Sequence, residues 1–167
     1  MNISGVVNNL FYKYINFFLS IGYFGEFVAF FITLALIYKN HIYSIIYIIV
    51  FLLNSSINQY LKAYIKEDRP KKPVKFLDSD NFSQHSFGMP SGHSQNTFFS
   101  IMYAYLVTRR FIPWILFLLV VGIITIYERY KYRNHTISQL FTGAILGSTI
   151  AYLTYSFTTF LIQHYIK

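Results

Sequence analysis

Two stretches of this chain carry no charged side chain over a length that can cross a bilayer. Ile42–Leu61 runs for 20 residues and Thr136–Gln163 for 28. A helix rising about 1.5 Å per residue needs about 20 residues to cross roughly 30 Å of hydrocarbon. Inside hydrocarbon the backbone must satisfy its own hydrogen bonds, so apolar runs of this length fold as helices. The second run is one tilted helix or a slightly kinked one. Three further apolar blocks, Gly22–Tyr38, Gly92–Thr108 and Phe111–Tyr127, sit between short polar turns. The expected fold is therefore all-α: an integral membrane bundle of five spans plus an N-terminal helix.

That first segment has its own pattern. Residues 8–20 are apolar and aromatic, but Asn9, Lys13, Asn16 and Ser20 recur at helical spacing. One polar stripe on an apolar helix suits an amphipathic helix at the membrane interface, placed here at residues 1–21, or a short sixth span. No cleavable signal peptide stands out, since no short apolar core with a small-residue cleavage site follows Lys13.

Composition agrees. The chain is 54% hydrophobic and 12% charged, with 18 phenylalanines and 16 tyrosines. A soluble domain averages roughly 25% charged residues. The net charge of +8 would suggest nucleic acid in a soluble protein. Here the cations cluster in two loops between apolar blocks, which favours an anionic lipid headgroup and no nucleic acid. With no cysteine, structural disulfides and thiolate metal sites are excluded.

Polar residues inside the apolar blocks are the candidates for function. Glu26 is an intramembrane carboxylate, a functional candidate by default or a helix-start residue. Asn54, Ser55, Ser56, Asn58 and Gln59 end the Ile42–Leu61 block and suit bonds to neighbouring helices or a wet cavity. Gly143 and Gly147 have the G-x-x-x-G spacing of close helix packing, a common motif without functional weight. Residues 66–90 form the one long loop. It carries Lys66, Arg69, Lys71, Lys72 and Lys75, diluted by Glu67, Asp68, Asp78 and Asp80. A loop of this length is often functional.

Three segments combine into a site. In F-G-M-P-S-G-H-S-Q, Phe87–Gln95, Pro90 disfavours a helical Met89 and a helix is expected to begin near Gly92. A helix start offers free N–H groups to an anion, and His93 in its first turn can exchange a proton with that anion. In K-A-Y-I-K-E-D-R-P, Lys62 and Arg69 are seven residues apart. Two helical turns would set them on one face, with the helix ending near Asp68. Such a pair can clamp a phosphate, or it can simply flank the membrane. In E-R-Y-K-Y-R-N-H-T-I-S-Q, Arg129 precedes His135 by six. His135 opens the last helix, with Gln139 one turn on to fix its tautomer. Following the chain through the spans puts all three segments on one membrane face. Two histidines, three cations and a glycine turn suit phosphoryl transfer without metal. Asp68, Asp78 and Asp80 are too scattered to hold magnesium, and the cations take over its electrostatic work.

Lys62-x6-Arg69-Pro70, Pro90-Ser91-Gly92-His93 and Arg129-x5-His135, in that order, resemble the three-part signature of the type 2 phosphatidic acid phosphatase superfamily. The resemblance spans roughly residues 54–150 and implies one such domain over residues 1–167, with residues 66–90 as an active-site loop. It implies His135 as nucleophile and His93 as general acid. Lys62, Arg69 and Arg129, with Ser91 and the Gly92 backbone, would hold the phosphoryl oxygens, and no cofactor would be needed. Two positions depart from the pattern. Glu128 stands where serine is usual, and a carboxylate there repels substrate unless it turns away. Gln139 stands where aspartate is usual. A glutamine carbonyl still accepts the imidazole N–H, but stabilises an imidazolium less well.

His135-Thr136-Ile137-Ser138-Gln139, with Phe87-Gly88-Met89-Pro90 and His93-Ser94-Gln95, resembles the dolichyl-diphosphatase branch. That branch implies hydrolysis of a polyprenyl diphosphate to the monophosphate through a phosphohistidine. Its membrane would be the endoplasmic reticulum in a eukaryotic setting, or otherwise a cell or viral-host membrane. The alternatives are a broader phosphatase for phosphatidic acid or phosphatidylglycerol phosphate, and a degenerate, lipid-binding member without catalysis. Basic loops favour the cytoplasmic side by the positive-inside rule, while the resemblance implies the opposite face.

Overall fold

The computed structural model describes residues 14–74, 87–109 and 112–165. Asn9 and Lys13 of the expected N-terminal stripe, and Lys75, Asp78 and Asp80 of the long loop, lie outside the described residues. Six helices and no strand are found among the described residues: α1 (Tyr14–Tyr23), α2 (Gly25–Ile37), α3 (His41–Ile65), α4 (Gly92–Thr108), α5 (Ile112–Lys131) and α6 (Ile137–Tyr165).

By length and composition, α3, α5 and α6 can each cross a membrane. A fourth crossing is reached if α1 and α2, which meet at a 67° bend, count as one broken span. The expectation of five spans is thus met by three or four such helices. Two physical reasons account for the difference. At 13 residues α2 is too short to span alone. At 17 residues α4 is short as well, and its first turns are polar. It tolerates them because α2, α3, α5 and α6 all pack around it. Ten of its 17 residues are buried, which makes it the core of the bundle.

Two devices hold α4 in place. The first is aromatic. Tyr47 of α3 stacks on Phe99 and Tyr103 of α4, with centroids 5.6 and 5.2 Å apart. Its hydroxyl bonds the Ser100 Oγ at 2.7 Å, so its polar end is satisfied inside the core. The second is the small-residue pair on α6. A Cβ on Gly143 would run into the Ser91 carbonyl oxygen, and one on Gly147 into the Gln95 carbonyl oxygen. The G-x-x-x-G spacing therefore does position a site. It lets α6 lie directly on the start of α4.

A polar ladder crosses the bundle beneath that start. Asn58 donates to the Gln95 Oε1 at 2.7 Å and to the Pro90 carbonyl at 3.2 Å. Gln95 donates to the Asn54 Oδ1 at 2.5 Å, and Asn54 to the Asn96 Oδ1 at 2.8 Å. Asn96 then donates to the Glu26 Oε2 at 2.9 Å. The polar end of α3 thus binds neighbouring helices, as buried polar groups in a span must.

Candidate active site

Each motif reaches the site by its own local structure. Ser91 is the N-cap of α4, with extended backbone, and its hydroxyl accepts weakly from the Ser94 N–H at 3.5 Å. Met89–Pro90 is cis. Gly92 and His93 follow in the first turn, where backbone N–H groups are unpaired. His93 turns toward α2, its Nε2 lying 3.5 Å from the Glu26 Oε1.

The Lys62 segment differs from expectation. α3 stops at Ile65, because Lys66 takes a left-handed conformation and its N–H caps the Lys62 carbonyl at 3.0 Å. Arg69 is therefore not on the same helical face as Lys62. It arrives through non-helical chain ahead of Pro70, and its Nη1 donates to the Asn134 carbonyl at 3.2 Å. This crosslink ties the first motif to the third.

The third motif begins at the buried end of α5. Arg129 is 4% exposed, with its guanidinium 4.8 Å from the centroid of the Tyr23 ring. Glu128 is fully buried next to Gly22, so it does turn away from solvent. Its Oε2 is 2.7 Å from the Arg129 Nε, an ion pair rather than an aligned hydrogen bond. The carboxylate thus partly neutralises the Arg129 guanidinium.

His135 precedes α6 rather than opening it. Thr136 caps that helix in a reciprocal capping box. The Gln139 N–H bonds the Thr136 Oγ1, and the Thr136 N–H bonds the Gln139 Oε1, both at 3.2 Å. The same Gln139 Oε1 lies 3.2 Å from the His135 Nδ1. The Gln139 Nε2 donates to the Glu67 Oε1 and to the Asp68 carbonyl, both at 2.8 Å. The Ser91 N–H closes the circle on the Gln139 carbonyl at 3.0 Å.

These bonds bring Arg69, Ser91, Asn134 and His135–Gln139 together at one end of the bundle. Lys62, Arg69 and His93 all act on His135 electrostatically. Burial first, then Arg69 and Lys62, hold the imidazole well below the ordinary histidine range; the Gln139 contact opposes this. Burial, and then Arg129, also lower the Arg69 guanidinium. Cations that face one another in this way favour an anion between them. Beside His135 a cavity of about 680 Å³ opens among Lys71, Lys131 and Arg133. Among the described residues no three His, Asp or Glu side chains gather as a metal site.

Sequence reasoning missed three participants. Glu67 reads only as a counter-charge in a basic run. Gly88 lies in a run that carries the resemblance but gives no hint of its neighbour, yet a Cβ there would collide with the Gln139 side chain. Gln95 lies in the quoted motif but gives no hint that it braces α3.

The model of the PAP2 superfamily matches residues 43–163, which include all three motifs. The chain belongs to the PAP2 superfamily. Among curated PAP2 relatives, lipid phosphate phosphatase gamma of Arabidopsis thaliana is 29% identical over 75% of this chain and 56% of its own length. Human dolichyldiphosphatase 1 is 30% identical over 77% of this chain and 58% of its own. Dolichyldiphosphatase 1 of Dictyostelium discoideum is 29% identical over 81% of this chain and 60% of its own. The chain thus spans somewhat over half the length of the curated relatives it matches. No solved structure matches it.

Proposed function

We propose that this PAP2 protein is a membrane lipid phosphatase that hydrolyses a polyprenyl diphosphate to the monophosphate and inorganic phosphate. The observation that carries the reading is the state of His135. Its Nδ1 faces an accepting amide oxygen, so Nδ1 holds the proton and Nε2 keeps its lone pair. Its depressed pKa keeps that lone pair available near neutral pH.

In this mechanism the His135 Nε2 attacks the terminal phosphorus while Lys62, Arg69, Arg129, the Ser91 hydroxyl and the Gly92 backbone hold the phosphoryl oxygens. The N–P bond forms as the bond to the leaving oxygen breaks. His93 gives that oxygen a proton, releasing the lipid monophosphate. His93 then takes a proton from water, whose oxygen attacks the phosphohistidine and frees phosphate and His135. Cations do the work that a metal does in other phosphoryl-transfer sites, so no metal or other cofactor is required.

Two features favour a diphosphate. Lys71, Lys131 and Arg133 beside His135 supply charge for a second phosphate. The dolichyldiphosphatase relatives act, by name, on such a substrate. The lipid tail would lie along the exposed aromatic and aliphatic faces of the bundle. The second reading is a broader phosphatase for phosphatidic acid or phosphatidylglycerol phosphate, favoured by the lipid phosphate phosphatase relative. A degenerate, lipid-binding role rests only on Glu128 and Gln139, and both have partners that fit a working site.

The test is a substrate panel on detergent-purified protein, with products resolved by mass spectrometry. Polyprenyl monophosphate and phosphate from the diphosphate are expected. Release from monoesters alone would transfer the assignment to the second reading. Hydrolysis of none would overturn both.

A further inference from the structure

Resting on that reading, we propose that Glu67 is the carboxylate behind the nucleophile, acting through the Gln139 amide as a positioning residue. Where aspartate is usual beside the histidine, this chain has an uncharged amide. The charge is nevertheless close. It sits one hydrogen bond further out, on a different segment of the chain.

The amide admits one orientation. Gln139 has an accepting oxygen and a nitrogen with two N–H donors. Its oxygen meets the Thr136 N–H at 3.2 Å and the His135 Nδ1 at 3.2 Å. Its nitrogen meets two acceptors, the Glu67 Oε1 and the Asp68 carbonyl, each at 2.8 Å. Turning the amide over would set N–H against N–H at Thr136 and oxygen against two oxygens at residues 67 and 68. The Glu67 carboxylate and the Asp68 carbonyl therefore force Oε1 toward His135. That fixes the proton on Nδ1 and leaves Nε2 as the attacking nitrogen.

Glu67 itself is anchored. Its carbonyl accepts the Gly88 N–H at 2.7 Å, and Gly88 is where a side chain would strike Gln139. The first motif, the loop before Pro90 and the third motif thus meet on one amide, which is fully buried.

The carboxylate also has an electrostatic role. When Nε2 bonds to phosphorus, positive charge develops on the ring. A carboxylate hydrogen-bonded to the amide nitrogen draws the amide dipole toward itself and makes Oε1 more negative, because linked hydrogen bonds polarise one another. Residues that orient a metal-ligating histidine from behind typically change activity by about 10–100-fold when removed, and the same order is expected for a histidine nucleophile.

The experiment is a charge swap in the full-length, detergent-purified protein, assayed with the best substrate of the panel. Glu67→Gln keeps shape and an accepting oxygen for the Gln139 N–H, so it removes charge alone. We expect kcat to fall by roughly 10-fold or more with little change in KM. The double variant Glu67→Gln/Gln139→Asp puts a carboxylate beside His135 and, one methylene shorter, draws its oxygens back from the Asp68 carbonyl. It should recover most of the lost kcat, which a merely structural role of Glu67 would not allow. An active wild type with an equally active Glu67→Gln overturns this inference alone. So does a folded double variant no faster than Glu67→Gln. A wild type that hydrolyses none of the substrates overturns the parent reading and this one with it.

Discussion

The Nε2 of His93 lies 3.5 Å from the Oε1 of Glu26, and the other oxygen of Glu26 accepts from Asn96 at 2.9 Å. The sequence left Glu26 as either a functional carboxylate or a helix-start residue. Its place opposite His93 favours the first. A carboxylate there stabilises the imidazolium that, in the proposed mechanism, donates a proton to the leaving oxygen. Lys62 and Arg129 also face Glu26, so it does not act on His93 alone. Glu26→Gln should lower kcat on a lipid diphosphate about 10-fold or more, a share of the roughly 100- to 10,000-fold that a positioned general acid contributes. Turnover of an activated aryl phosphate, whose leaving group needs no proton, should fall much less. Equal losses on both substrates would contradict the assignment.

The buried state of His135 makes a pH prediction. Its folded pKa lies below the unfolded value of about 6.5, so between the two the unfolded chain binds more protons. Stability is then fully present above about pH 6.5 and is lost as pH falls toward the folded pKa. Thermal unfolding in detergent should show Tm falling between pH 7 and 5, with a flatter profile for His135→Asn. In kinetics, the acid limb belonging to the nucleophile should lie below the ordinary histidine range. An acid limb at or above about pH 6.5 would contradict a depressed pKa.

Gly147 tests the α4–α6 contact. A methyl group there meets the Gln95 carbonyl oxygen, which is backbone and cannot rotate away. Gly147→Ala should destabilise by at least about 1–3 kcal/mol, the usual range for overpacking. Activity should fall as well, because α6 positions Gln139 against the Ser91 N–H. Unchanged melting and unchanged kcat would show that α6 can move outward without disturbing the site.

Much of this was legible because the signals were local. The bounds of α4 follow from Ser91 and Gly92 at one end and Arg109 at the other, and they coincide with the expected Gly92–Thr108. Pro70 sets only a limit near Asp68 on the end of α3, while the left-handed Lys66 ends the helix earlier. Arg69 therefore reached the site by a route that helical periodicity does not describe. Gly143 and Gly147 were visible as a motif, but their spacing alone does not name the surface they meet. Glu67 was hidden for a different reason. Its partner lies 72 residues away, and nothing in a run of mixed charges distinguishes a carboxylate that binds an amide from one that meets water.

In the proposed mechanism His135 carries a phosphoryl group without help from a metal. The most direct measurement is phosphate release from a polyprenyl diphosphate by wild type and His135→Ala, each with a chelator and, separately, with orthovanadate. Turnover by the wild type should survive chelation and stop with vanadate, and the variant should show none. Phosphate release by a folded His135→Ala variant, or a strict requirement for magnesium in the wild type, would contradict it.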